Sequence, residues 1–93
     1  MDTQDCIKAK NALHLKDLHG HQVVVGAKQL KKALRDGRAW QVFLAKNADF
    51  ALTEPIEALC LTKKIHVVWV PTMAELGNAC GIEVGAAAAA VVD

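Results

Sequence analysis
Lys28, Lys31, Lys32, Arg35 and Arg38 crowd one short stretch of the chain, with only Asp36 to offset them. They follow Gly26, which itself follows the β-branched run Val23-Val24-Val25. A strand that feeds a glycine turn and then a helix start aims free backbone N–H groups outward, the usual way a helix meets an anion. Helix stability alone would place acids in that first turn, because the dipole is positive there. Instead Lys28 and Lys32 stand four positions apart, as do Lys31 and Arg35, so like charges face each other. Each such pair costs roughly a few tenths of a kcal/mol. A polyanion supplies the missing negative charge, and a nucleic-acid backbone is the obvious one. Lysines then provide salt-dependent phosphate attraction, and Gln29 can both donate and accept at a base edge.

Other candidate chemistries are weaker. There is no GxGxxG and no GxxxxGK[ST], so neither dinucleotide nor P-loop binding is signalled. His14, His19 and His21 with Cys6 match no standard zinc spacing and read as exposed or helix-capping residues. No Ser/His/Asp arrangement stands out, and Cys80 reads as a small apolar residue. Asp49, Glu54, Glu57 and Glu75 suit caps and surfaces, leaving Glu83 the least explained. Trp40 and Trp69 fall at or within strands and read as core or rim packing before stacking platforms. No metal, cofactor, small-molecule substrate or catalytic role is expected. The loop Ile82-Glu83-Val84-Gly85 has two readings: its apolar residues tuck under the fold, or they form a lip that packs on an unstacked base.

The elements that must carry these residues follow from periodicity. The 93 residues are 53% hydrophobic and 23% charged, which suits one folded domain over 1–93. Net charge is only +1, so the local basic cluster is the signal, not the bulk. Three cysteines without CxxC spacing, and no visible signal peptide or membrane span, point to a reduced, cytoplasmic protein.

Residues 1–19 read as a helix that Gly20 stops. Val23 to Val25 is too uniformly apolar for a half-exposed strand and suits a covered one. A helix from about 27 to 36 carries Ala27, Leu30, Ala33 and Leu34 as one stripe. Trp40 to Ala45 is the second strand. Thr53 is the expected N-cap of the next helix, with Glu54 and Pro55 in its first turn and an end near Thr62. Ile65 to Val70 is the third strand. Thr72-Met73-Ala74-Glu75 reads as a capping box opening a short helix to about Cys80, with Gly81 beyond. Ala86 to Val92 is assigned as the last strand against its alanine-rich helix propensity, because Val91 and Val92 favour a strand and small side chains let helices approach closely. This alternation implies an α/β fold, a three-layer α/β/α sandwich on a four-stranded mixed sheet.

Gly26-Ala27-Lys28-Gln29-Leu30-Lys31-Lys32 and Leu76-Gly77-Asn78-Ala79-Cys80-Gly81-Ile82-Glu83-Val84-Gly85-Ala86-Ala87 together resemble the L7Ae/L30e ribosomal-protein family, closest to its small bacterial members. Ala45-Lys46-Asn47-Ala48-Asp49 looks like the family's middle loop. The resemblance covers roughly residues 15–92 and leaves 1–14 as an N-terminal extension. It implies a three-layer sandwich that binds kink-turn RNA, ribosomal or regulatory, without catalysis. By match, Gly26, Lys28, Gln29 and Lys32 would meet the tandem sheared G·A pairs, and Ile82, Glu83, Val84 and Gly85 would cover the flipped-out nucleotide. Archaeal and eukaryotic members commonly carry Asn-Glu where this chain has Lys28-Gln29, Ala27 stands where Thr is usual, and Asn78 replaces a common basic residue. With Lys31 and Arg35 added from the charge pattern, these ten residues are the expected RNA contacts. The competing expectation is a protein-binding scaffold that uses the basic helix 27–38 to meet an acidic partner.

Overall fold
The computed structural model describes Leu18 and residues 21–92. Along the chain come β1 (Gln22–Val25), α1 (Ala27–Arg35), β2 (Ala39–Ala45), α2 (Phe50–Lys63), β3 (His66–Val70), α3 (Met73–Ala79) and β4 (Ala88–Val92). The helix expected over 1–19 and its stop at Gly20 lie outside the described residues, apart from Leu18, which is buried.

The strands form one mixed sheet in the order β1-β4-β2-β3. β4 runs antiparallel to both of its neighbours, and β2 and β3 are parallel. β1, β2 and β3 therefore point the same way, and their C-terminal ends share one end of the sheet with the start of β4. Side chains alternate between the two faces. On one face Leu30, Ala33 and Leu34 of α1 and Ile56 and Cys60 of α2 pack on Val42, Leu44, Ala88 and Ala90. On the other, Leu76 of α3 and Leu18 pack on Phe43, Ala45, Val70, Ala89 and Val91. Helices thus cover both faces of the four-stranded sheet, as the alternation of elements implies. Among the described residues no helix is long and apolar enough to cross a membrane.

The alanine-rich last segment is a strand because tertiary context overrides propensity: all five residues of β4 are buried, between β1 and β2. Two expectations fail. β1 is not a covered strand. It lies at the sheet edge with Val23, Val24 and Val25 half-buried, so its apolar run reflects packing on both faces of a rim. Nor does Thr53 cap α2. The helix starts a turn earlier, where the Asp49 side chain accepts the Ala51 N–H at 3.0 Å, and Thr53 turns into the core at 2% exposure. Pro55 then falls inside the helix. It is tolerated on the exposed side, where the Ala51 carbonyl that loses its partner meets water.

One side chain of this core makes the fold sensitive to alkali. Cys60 is fully buried, and burial, assisted by the negative charge of Glu57, pushes its thiol from 9.0 up to about 11. Between those pH values the unfolded chain gives up this proton while the folded one keeps it, so stability falls as pH rises, by up to about 1.4 kcal/mol per pH unit. Below the lower value the two states bind the proton alike. Urea midpoints taken at about pH 8 and about pH 10 check this: wild type loses more stability between them than Cys60→Ala does.

Candidate nucleic-acid interface
Four connections converge where β1, β2 and β3 end and β4 begins. The Gly26 N–H donates to the Ala88 carbonyl at 3.0 Å, and the Ala45 N–H to the Ala87 carbonyl at 3.0 Å. The Ala86 N–H donates to the Met73 carbonyl at 3.0 Å, and the Lys46 N–H to the Val70 carbonyl at 2.7 Å. Residues 86–88 therefore cross this end of the sheet and join the turn after β1 to the loop that follows α3. The cationic turn and the apolar loop, far apart in sequence, lie at the same end.

The turn is specified by Gly26, whose φ of 102° and ψ of 145° only glycine adopts without strain. No side chain caps α1, and its first turn contains no acid. Only from Leu30 onward do its N–H groups find helical acceptors, the Leu30 N–H donating to the Gly26 carbonyl at 2.9 Å. The N–H groups ahead of it are left for a ligand or water. Leu30, Ala33 and Leu34 face the core, which turns Lys28, Gln29, Lys32 and Arg35 to solvent and leaves Lys31 half-buried. Lys28 and Gln29 sit at the convergent end. Arg35 does not: it closes α1 about 10 Å further down the axis, so it extends the basic track away from the turn.

The loop 82–85 is held against α3. The Ile82 N–H donates to the Gly77 carbonyl at 3.1 Å. A Cβ on Gly77 would collide with the Val84 carbonyl oxygen, and one on Gly85 would lie 3.1 Å from the Met73 Cβ. The two glycines let loop and helix backbones touch. Ile82 follows the tucked-under reading, half-buried against Leu76, Ala86 and the rest of that core face. Val84 follows the other and stands 71% exposed. Glu83 and Gly85 are also exposed. The apolar lip is therefore Val84, with Ile82 as its anchor.

Sequence reasoning missed one tie between these segments. The Asn47 Oδ1 accepts the Met73 N–H at 2.8 Å, tying the loop after β2 to the start of α3. The capping box is as expected, with the Thr72 hydroxyl accepting the Glu75 N–H at 3.1 Å and donating to the Glu75 carboxylate at 3.2 Å. Asp49 sets where α2 begins, and so places Phe50 at its first position, 65% exposed. Trp40 and Trp69 are half-buried against the two core faces, as packing residues. Burial pushes the Cys80 thiol up, away from the nucleophilic thiolate. Among the described residues no group of three or more His, Cys, Asp or Glu side chains could hold a metal ion.

A small α/β/α sandwich that brings an uncapped basic helix start and an apolar loop to one end of its sheet defines a binding module. The chain belongs to the ribosomal protein L7Ae/L30e/S12e/Gadd45 family, whose profile matches residues 8–93. It is 48% identical over 69 residues to RNA-binding protein TTE2299 of Caldanaerobacter subterraneus subsp. tengcongensis, covering 74% of this chain and 84% of that one. It is 44% identical over 68 residues to the large ribosomal subunit protein eL8 of Halobacterium salinarum, covering 72% of this chain and 57% of that protein. Its fold matches the structure of a Giardia lamblia 15.5kD RNA binding protein with a TM-score of 0.74 and 25% identity, over 86% of this chain and 66% of the other. The family is non-enzymatic, its members being named as RNA-binding and ribosomal proteins.

Proposed function
We propose that this chain binds kink-turn RNA without catalysis and stabilises the bent conformation, as a cytoplasmic component of the ribosome or of another structured ribonucleoprotein. Lys28, Gln29 and Lys32, with the Gly26 turn, meet the tandem G·A pairs. Val84 covers the flipped-out nucleotide, with Ile82, Glu83 and Gly85 shaping the loop beneath it. Lys31 and Arg35 continue the phosphate contacts along α1.

The observation that carries this reading is the hydrogen bond from the Gly26 N–H to the Ala88 carbonyl, which sets the basic turn beside the strand that the apolar loop leads into. A sharply bent RNA presents its backbone and an unstacked base close together, and a straight duplex does not. The names of the relatives support RNA as the ligand class.

Titration of a kink-turn RNA and a straight duplex of equal length, at one salt concentration, tests the reading. The kink-turn binds more tightly, and equal affinities defeat the proposal. Gln29→Ala narrows the gap by about 1–3 kcal/mol through loss of a base-edge contact, because its exposed side chain contributes little to stability.

A further inference from the structure
We infer that Phe50 is a stacking platform for a second unpaired nucleobase of the RNA, extending the interface from the start of α1 to the start of α2. The inference rests on the kink-turn reading above and adds a contact to it. Phe50 is 65% exposed, although fully buried Phe43 shows how this fold treats the same side chain elsewhere. At the first position of a helix, proline or an acidic residue is favoured. A phenylalanine there gains nothing from the helix and forgoes most of its burial. A single exposed apolar residue needs no special explanation, and Leu61, 73% exposed near the other end of α2, receives none. Position is what distinguishes Phe50.

Because β1 and β2 point the same way, α1 and α2 both begin at the convergent end, and their side chains share one core face. Packed helices lie about 8–10 Å apart, a gap of two to three bases at a 3.4 Å rise. One RNA strand can therefore lie on Lys28 and still reach Phe50. The backbone that carries the ring is also fixed in advance. Asp49 caps the helix beneath it, and the Lys46 N–H and Asn47 Oδ1 bind the preceding loop to Val70 and Met73. Charge selects which part of a nucleotide sits there. Asp49, the cap before Phe50, and Glu54, one turn on, repel phosphate, so the neutral base faces the ring while the backbone is left to exposed lysines such as Lys28 and Lys46. Stacking of this kind tolerates any base, since each has a π-face.

The test uses a kink-turn RNA with 2-aminopurine substituted at each unpaired position in turn. With wild type, two positions change fluorescence: the extruded nucleotide beside Val84 and one further base. Phe50→Ala abolishes the second change, keeps the first, and binds about 5- to 150-fold more weakly. Phe50→Trp keeps both changes. Phe50→Leu, apolar but without a ring, behaves as alanine does. If wild type prefers the kink-turn but Phe50→Ala and Phe50→Leu match it in affinity and in both signals, the stacking contact is overturned and the kink-turn reading stands. If wild type binds kink-turn and duplex alike, the underlying reading falls and this inference with it.

Discussion

Gly26→Ala loses about 1–3 kcal/mol of stability, through backbone strain alone. A Cβ at that position meets nothing within 4 Å, so no clash contributes; the cost comes from a φ of 102° that an L side chain resists. Relief of that strain rotates the peptide that donates to Ala88, and the start of α1 moves away from the strand that orients it. RNA affinity should therefore fall about tenfold or more, since 1.4 kcal/mol of lost contact is a factor of ten. Gly37→Ala is the control. Gly37 is also left-handed, with a φ of 73° and no neighbour within 4 Å, but it lies just beyond the C-terminal end of α1, away from the Gly26 turn and the 82–85 loop. It loses stability and keeps its affinity. Urea denaturation and RNA titration on the two variants separate folding from recognition.

Gly77→Ala acts by the opposite route. Its backbone needs no special conformation, but the added methyl group overlaps the Val84 carbonyl oxygen and comes within 3.1 Å of the Gly85 Cα and the Val84 carbonyl carbon. These are backbone atoms that cannot swing aside as a side-chain tip can. The bonds from the Ile82 N–H to the Gly77 carbonyl and from the Ala86 N–H to the Met73 carbonyl stitch both ends of the loop to α3, so it must lift as a unit. Overpacking of this kind costs about 1–3 kcal/mol, and the lifted loop no longer presents Val84 at its original height. An RNA lacking the extruded nucleotide makes the effect specific. Deleting that nucleotide weakens binding to wild type and leaves binding to Gly77→Ala nearly unchanged, because the variant has already lost the contact.

Much of the frame is legible in the chain itself. The stripe Leu30, Ala33 and Leu34 gives α1 and its buried face, and Thr72 with Glu75 marks α3. β4 is readable only by setting Val91 and Val92 against a run of alanines whose intrinsic preference is helical. The start of α2 is hidden in the sequence because Thr53-Glu54-Pro55 imitates a helix opening, while the apolar Phe50-Ala51-Leu52 after Asp49 resembles no first turn. The edge position of β1 is equally hidden, because three valines suit a rim packed from both sides as well as a covered strand. The turn at Gly26 is a local matter of charge and one glycine, and it could be read directly. The lip could not be resolved, since whether Ile82 or Val84 faces outward depends on the approach of loop to helix at Gly77. A glycine in a short helix gives no hint of such a contact until the tertiary structure brings the two backbones together.

The place of β4 between β1 and β2 has a consequence for biosynthesis. During translation β1 has no neighbouring strand, and the Gly26 N–H has no acceptor, until residues 88–92 have emerged. A nascent chain that already displays every lysine of α1 can attract phosphate but cannot yet anchor its turn on β4.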